Sequence, residues 1–161
     1  MDYSNTEILD LIKCKKTISA SFSLPEHNEK ETLEAVNQDK IVFQIDMNRC
    51  YINLNHFTNQ QRKDGYYQLL RLDISSKPHA NPPDSNGNMK KISGSHIHIY
   101  KKEYGAKFAY DLNCENDRNI LASMFNLDSD EFCGIDTFQK GFELFKKISN
   151  LDCPYLNERL F

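Results

Sequence analysis

Apolar and polar residues alternate with a period of two through the middle of the chain, and apolar residues recur with a helical period near both ends. Alternation predicts β-strands because successive side chains of a strand point to opposite faces of its sheet. The alternating segments are residues 41–47, 50–57, 66–74, 95–101 and 107–112. Most of these segments are separated by short turns, which favours an antiparallel meander.

The first forty residues predict one helix and one strand. Ser4 precedes apolar residues at helical spacing, so we expect a capped helix that ends near Lys15. Residues 18–24 alternate and stop at a proline, which predicts a short strand. Residues 26–40 are polar and predict a loop with one helical turn around residues 32–36.

Two further segments predict loops between strands. Residues 59–63 are polar, and residues 77–94 are rich in proline, glycine and asparagine. Loops as long as the second one often carry function when they occur inside a domain. His79 lies near the start of this long loop.

The last fifty residues predict two helices and a tail. Asn116 and Asp117 can cap the first helix, and Asp136 with Gln139 matches a capping box at the start of the second. The second helix has an apolar stripe typical of core packing, which consists of Phe138, Phe142, Phe145 and Ile148. The chain ends on apolar residues, so we expect its tail to be docked.

Together these elements predict an α+β fold. An antiparallel sheet of five or six strands would be packed on one face by the C-terminal helices and the short N-terminal helix. We expect one globular domain, residues 1–161, because a chain of 161 residues can bury a sufficient core. Within it, residues 1–40 form the helix, strand and polar loop, residues 41–112 the sheet, and residues 113–161 the helices and tail.

Composition excludes several classes of protein. Hydrophobic residues make up 39% and charged residues 27% of the chain, which is ordinary globular usage. No apolar run has the length of a membrane span, and the N-terminus lacks a signal-peptide pattern. The five cysteines form no Cys-x-x-Cys pair, so reduced thiols and a cytoplasmic location are expected. No glycine-rich phosphate loop is present, so no cofactor is expected; the sequence leaves the oligomeric state open.

Charge is distributed unevenly along the chain. Residues 62–107 contain nine Lys and Arg against four Asp and Glu, whereas the remainder contains eleven against nineteen. A basic centre suits a phosphate-bearing ligand such as RNA. Lysines that only solvate the edges of a sheet are the simpler explanation of the same charge.

The candidate chemistry centres on the strand of residues 95–101. Ile97 and Ile99 would face the core, while His96, His98 and Tyr100 would share the face that water or a ligand can reach. Imidazole is the side chain whose ordinary pKa lies near neutrality. Two imidazoles on one face therefore suit proton transfer, metal ligation or phosphate binding.

The leading hypothesis is metal-independent RNA cleavage. His96 and His98 would act as base and acid, Arg71 would clamp the phosphate, and His79 or Tyr100 would assist. The expected substrate-binding residues are Lys90, Lys91, Lys101, Lys107 and Arg159.

Three other interpretations stay open. A metal-dependent hydrolase would use His79, His96 and His98 as ligands, with Asp73 or Cys114 as a fourth. A purely structural interpretation makes His96 and His98 half-buried strand residues that bond to neighbours. A non-enzymatic binding module would instead use the acidic part of the chain to contact a protein partner, such as an antitoxin or a host defence component.

Several motifs resemble those of a family of uncharacterised bacterial and phage or mobile-element proteins. The motifs are Arg71-Leu72-Asp73, Pro78-His79-x-Asn81-Pro82, His96-x-His98-x-Tyr100, Tyr104-Gly105 and Asn157-Glu158-Arg159-x-Phe161. The similarity runs from about Ile41 to the end of the chain. Phe108 stands where that family usually has Trp, and residues 83–87 lengthen its loop. The resemblance implies a set of site residues but no reaction.

A looser similarity covers about a third of the chain. The Pro-His loop and the His-x-His strand are similar to those of small proteins that occur in toxin–antitoxin pairs. That similarity implies a toxin-type endoribonuclease as the expected function.

Overall fold

The computed structural model describes residues 2–158 and begins with helix α1, Asn5–Lys13. Ser4 caps this helix as its sequence predicts: its hydroxyl accepts from the Glu7 N–H at 3.1 Å, and the Glu7 carboxylate accepts from the Ser4 N–H at 2.7 Å. Ile8 and Ile12 point from α1 into the core.

The remaining elements follow in chain order. The strands are β1 (Lys16–Thr17), β2 (Phe22–Ser23), β3 (Lys30–Asn37), β4 (Val42–Asn48), β5 (Phe57–Lys63), β6 (Tyr67–Ile74), β7 (His79–Ala80), β8 (Lys91–Ile92), β9 (His96–Ile99), β10 (Ala109–Asp111), β11 (Leu151–Asp152) and β12 (Leu156–Asn157). The helices after α1 are α2 (Glu115–Phe125), the 3-10 helix Ser129–Phe132, and α3 (Phe138–Ser149).

Eight strands form the main sheet, in the order β10-β9-β6-β5-β4-β3-β1-β11. All neighbours are antiparallel except β1 and β11, which are parallel. The α+β class is confirmed, but the prediction of five or six strands is too low. The sheet extends beyond residues 41–112, because β1 and β3 come from the N-terminal segment and β11 from the C-terminal one.

Helices cover one face of the sheet. α3 packs against β5, β6 and α1, and its predicted apolar stripe is buried. The predicted caps are wrong by a few residues: Thr137 caps α3 by accepting from the Lys140 N–H at 3.2 Å, and α2 begins after Cys114. The tail docks through β12, which pairs with β2; Arg159 and the two residues after it lie outside the described residues.

Four local predictions are wrong. Residues 50–56 form a loop instead of a strand, whereas residues 59–63, predicted as a loop, belong to β5. The expected helical turn at residues 32–36 lies inside β3, and the expected strand at residues 18–24 is reduced to β2. Among the described helices, none is long and apolar enough to cross a membrane.

Candidate functional site

The face of the sheet opposite α3 carries a cluster of polar side chains on β6 and β9. The register pairs Arg71 with His98 and Asp73 with His96. Because side chains alternate along a strand, these four residues share one face while Leu72 and Ile97 point into the core. The strand pairing therefore brings Arg71 and Asp73 of one sequence motif next to the two histidines of another.

Asp73 lies at the centre of the cluster. Its Oδ1 accepts from the Thr58 hydroxyl at 2.8 Å, and its Oδ2 accepts from Arg71 Nε at 2.8 Å. The same Oδ2 lies 3.4 Å from His96 Nε2 and 3.5 Å from His98 Nε2. Burial by itself would raise the pKa of Asp73, but the His96 ring, the positive charge of Arg71 and the Thr58 hydroxyl outweigh it and hold the pKa far below its ordinary value.

His98 is buried, with 2% of its surface exposed. Its Nε2 lies 3.1 Å from Arg71 Nη2. Since a guanidinium cannot accept a hydrogen bond, Nε2 is the acceptor and the hydrogen of the neutral ring is on Nδ1. Nδ1 is buried and has no hydrogen-bond partner in the described part of the chain. Burial lowers the pKa of His98, with Arg71 adding to the effect and Asp73 opposing it.

His96 is equally buried but has an acceptor at each ring nitrogen. Its Nδ1 lies 2.8 Å from the Gly94 carbonyl oxygen, and its Nε2 faces Asp73. Gly94 has a φ of +104°, a backbone conformation that side-chain-bearing residues rarely adopt. The turn at Gly94 thus orients the carbonyl that fixes the His96 ring. The sequence predicted that water or a ligand could reach both His96 and His98; each ring has only 2% of its surface exposed, and of the two only His96 lines the groove described below.

His79 joins the cluster from the long loop. Its Nε2 donates to the Lys107 carbonyl at 2.8 Å, which leaves Nδ1 as the acceptor nitrogen of the neutral ring. The loop is fastened two residues later, where the Asn81 amide exchanges two hydrogen bonds of 2.8 Å with the Ala109 backbone. The Asn81 side chain thereby pairs with the backbone of the edge strand β10 and holds His79 beside β9.

The three histidine rings lie in mutual contact. Their centroids are separated by 4.6 Å for His79 and His98, 4.8 Å for His96 and His98, and 5.3 Å for His79 and His96. One nitrogen from each ring lies within 4.8 Å of the others, so the cluster could hold a metal ion. Neither Asp73 nor Cys114 belongs to this three-residue group.

A groove of about 1080 Å³ runs along the polar face of the sheet and reaches the cluster. Arg71, Asp73, His79 and His96 line it, whereas His98 lies behind them. Its charged lining comprises four cations and three carboxylates, which are Lys30, Arg62, Arg71 and Lys77 with Glu31, Asp46 and Asp73. Arg71 keeps 32% of its side chain exposed, so a ligand in the groove can contact the guanidinium.

Several residues predicted for the site lie away from the groove. Tyr100 contacts Tyr67, with ring centroids 6.4 Å apart. Lys90 pairs with Asp117 of α2 at 2.5 Å, and Lys101 lies over the Phe108 ring at 3.7 Å. Lys91 and Lys107 are exposed outside the groove lining, and Arg159 is outside the described residues.

The groove also contains residues that the sequence analysis missed as site residues. Thr58 contacts Asp73, and Tyr51 and His56 form a stacked pair in the loop between β4 and β5. Lys30, Arg62 and Lys77 supply the cations. The strand predicted over residues 50–57 concealed this loop.

Fold and site together define an α+β protein with a largely buried Asp-Arg-His cluster at one end of a polar groove. A family model described as "Family of unknown function (DUF6978)" matches residues 3–134, so the chain belongs to that family. Membership in an uncharacterised family is therefore confirmed. The match includes the first forty residues, where no resemblance was identified, and ends before the C-terminal tail. Searches of curated proteins and of solved structures found no match.

Proposed function

We propose that the protein is a toxin-type endoribonuclease that cleaves RNA without a metal ion. The observation that carries the proposal is the pair His79 and His96, which both line the groove beside the Arg71 guanidinium. In this reaction the RNA 2′-hydroxyl attacks the adjacent phosphate and the 5′-oxygen leaves. Two imidazoles can supply the base and the acid, and a guanidinium can stabilise the charge on the phosphate.

His79 is the better candidate for the general base. Its Nε2 donates to the Lys107 carbonyl, so its Nδ1 has the lone pair that takes the 2′-hydroxyl proton. His96 is the better candidate for the general acid, because it lines the groove and has an acceptor, Gly94 or Asp73, beside each ring nitrogen to orient it. It would give a proton to the leaving 5′-oxygen.

Arg71 and His98 complete the assignment. The guanidinium would stabilise the charge that develops on the phosphorane oxygens. His98 does not line the groove, and its Nε2 accepts from Arg71, so we assign it as a positioning residue and not as the acid or base first expected. Asp73 has the same supporting role for His96 and Arg71.

The test is incubation of the purified protein with RNA in the presence and absence of a chelator. We expect cleavage that a chelator does not inhibit, with products that end in a 2′,3′-cyclic phosphate. RNA with 2′-deoxyribose at the cleaved position should stay intact, because the attacking hydroxyl is missing. Cleavage of that substrate at the normal rate would contradict the proposal.

One observation favours a second candidate, a zinc-dependent hydrolase. The His79 and His96 rings each bond a backbone carbonyl through one nitrogen, an arrangement typical of metal ligands. Ligation through Nδ1 of His98 would give that buried atom a partner, provided that the ring hydrogen moves from Nδ1 to Nε2. Arg71 opposes this candidate, because its Nη2 lies 3.1 Å from His98 Nε2 and would repel a dication. Cleavage that a chelator abolishes and zinc restores would favour it.

The binding-module interpretation becomes the better one if RNA stays intact under both conditions. The protein would then act by contacting an antitoxin or a host defence component. Capture of one defined partner whose affinity does not change in a His79→Ala variant would support that alternative.

A further inference from the structure

The loop between β4 and β5 contains a stacked aromatic pair that lines the groove. The rings of Tyr51 and His56 have centroids 3.7 Å apart and are inclined by only 13°. Both side chains are partly exposed, and burial lowers the pKa of His56, so its ring is neutral at pH 7. A neutral pair of rings at the side of a groove offers a flat apolar surface.

Hydrogen bonds fix this pair to the floor of the groove. The Tyr51 hydroxyl accepts from Asn48 Nδ2 at 3.3 Å and lies 3.2 Å from Thr58 Oγ1. Because Thr58 gives its only hydrogen to Asp73, Tyr51 is the donor to Thr58. One chain of contacts therefore joins the Tyr51 ring through Thr58 and Asp73 to His96.

The surroundings of the pair suit a nucleotide. Lys30 and Lys77 line the same groove and can neutralise backbone phosphates. Gln60 lines the groove and pairs with Arg71 across β5 and β6; its amide nitrogen donates to Asp46, and its side-chain oxygen can accept from the edge of a base. An aromatic surface with flanking cations is the arrangement by which proteins bind unpaired bases.

We infer that Tyr51 and His56 form a nucleobase-stacking subsite that selects single-stranded RNA and holds one unpaired base next to the phosphate at Arg71. A base inside a duplex has both faces occupied by its neighbours and cannot extend this stack. The inference rests on the proposed function for the identity of the polymer as RNA.

The test measures binding separately from cleavage. A fluorescein-labelled RNA oligonucleotide with 2′-O-methyl groups at every position cannot be cleaved through its 2′-oxygens, so its fluorescence anisotropy reports binding alone. We expect Tyr51→Ala and His56→Ala each to weaken binding of the single strand about tenfold. The same oligonucleotide in a duplex should bind at least about tenfold more weakly to the wild-type protein.

Two further variants make the comparison specific. Tyr51→Phe keeps the ring and should retain affinity within about threefold. Tyr155→Ala removes an exposed tyrosine outside the groove and should leave affinity unchanged. Thermal unfolding of each variant checks that the loop substitutions leave the fold intact.

Defined results would overturn the inference. It fails if Tyr51→Ala and His56→Ala, both folded, bind the single strand as tightly as wild type, if the duplex binds equally well, or if wild-type protein binds neither. If the single strand binds in a Tyr51-dependent way but ordinary RNA stays uncleaved, the stacking subsite stands and only the proposed cleavage fails.

Discussion

Two imidazole nitrogens, from His96 and His98, approach the same Asp73 oxygen, so a change at Asp73 affects both rings at once. In Asp73→Asn the carboxylate that accepts from Arg71 becomes a neutral amide. We expect the free energy of unfolding to fall by about 1–3 kcal/mol, because Thr58, His96 and Arg71 lose their charged acceptor. Cleavage should fall at least about 100-fold. Urea denaturation and RNA cleavage assays measure the two effects.

Asp10→Asn is the matched control, since Asp10 is exposed on α1. This variant should leave both the free energy of unfolding and the rate of RNA cleavage unchanged. An Asp73→Asn variant that unfolds and cleaves like this control would remove Asp73 from the account.

His98 should make the stability of the protein depend on pH. Its folded-state pKa is lowered, so below its ordinary pKa of about 6.5 the unfolded chain binds a proton that the native ring resists. Stability is therefore fully present above that value and is lost as the pH falls below it. We expect the free energy of unfolding to decrease from pH 7 to 5, and to decrease less steeply in His98→Gln.

His27→Gln provides the comparison for this series, because His27 lies outside the cluster. The free energy of unfolding of this variant should depend on pH in the same way as that of wild type. Equal slopes in His98→Gln and wild type would contradict the assignment of a neutral, buried His98.

At the scale of elements, Lys16 joins the ends of two helices to β1. Its buried ammonium donates to the carbonyls of Ile12, Cys14 and Ser149 at 2.7, 2.7 and 2.6 Å. Burial lowers the pKa of Lys16 to about 8, so the group remains charged at pH 7. We expect Lys16→Met to reduce the free energy of unfolding by about 2–3 kcal/mol, because three carbonyls lose their donor.

Lys15→Met, at the neighbouring exposed position, is the control and should change stability by less than about 0.5 kcal/mol. Urea denaturation of the two variants measures the difference. A Lys16→Met variant as stable as Lys15→Met would mean that hydrophobic packing replaces the three hydrogen bonds fully.

The contact between α3 and β5 depends on Gly141. A Cβ atom at this position would lie 2.6 Å from Cζ of the buried Phe57 ring. We expect Gly141→Ala to destabilise the protein by about 1–3 kcal/mol, although alanine favours a helix, because the ring has to move in a packed core. Gln139→Ala, at an exposed position of the same helix, should leave stability nearly unchanged. Equal stability of the two variants would contradict this close contact.

The errors in predicting elements have a common cause. β5 carries Asn59 and Gln61 at fully buried positions, so the alternation of apolar and polar residues that marks a strand is missing there. In β3 most side chains are exposed, and only Ala35 and Asn37 are buried. Sequence periodicity detects strands whose inward positions are apolar. β3 and β5 lack that pattern and are recognised only from their pairing with neighbouring strands in the structure.

For the whole molecule, much of the cluster could be predicted but the groove could not. Alternation identified the face that His96 and His98 share, and the preceding strand and the long loop supplied Arg71 and His79 as candidates. The groove depends on the register of β4, β5 and β6, which aligns Asp46, Gln60 and Arg71 across the sheet. A one-residue change of register would turn every side chain of the shifted strand to the opposite face of the sheet, so the hydrophobic pattern alone cannot specify such a surface.

The central claim is that His79 and His96 cleave RNA at the end of this groove. The most direct measurement is the single-turnover rate of RNA cleavage, in the presence of a chelator, for wild type, His79→Gln, His96→Gln and His27→Gln. The account predicts that the first two variants are slowed at least about 100-fold while His27→Gln matches wild type. Equal rates in all four folded proteins, or no cleavage by wild type, would contradict it.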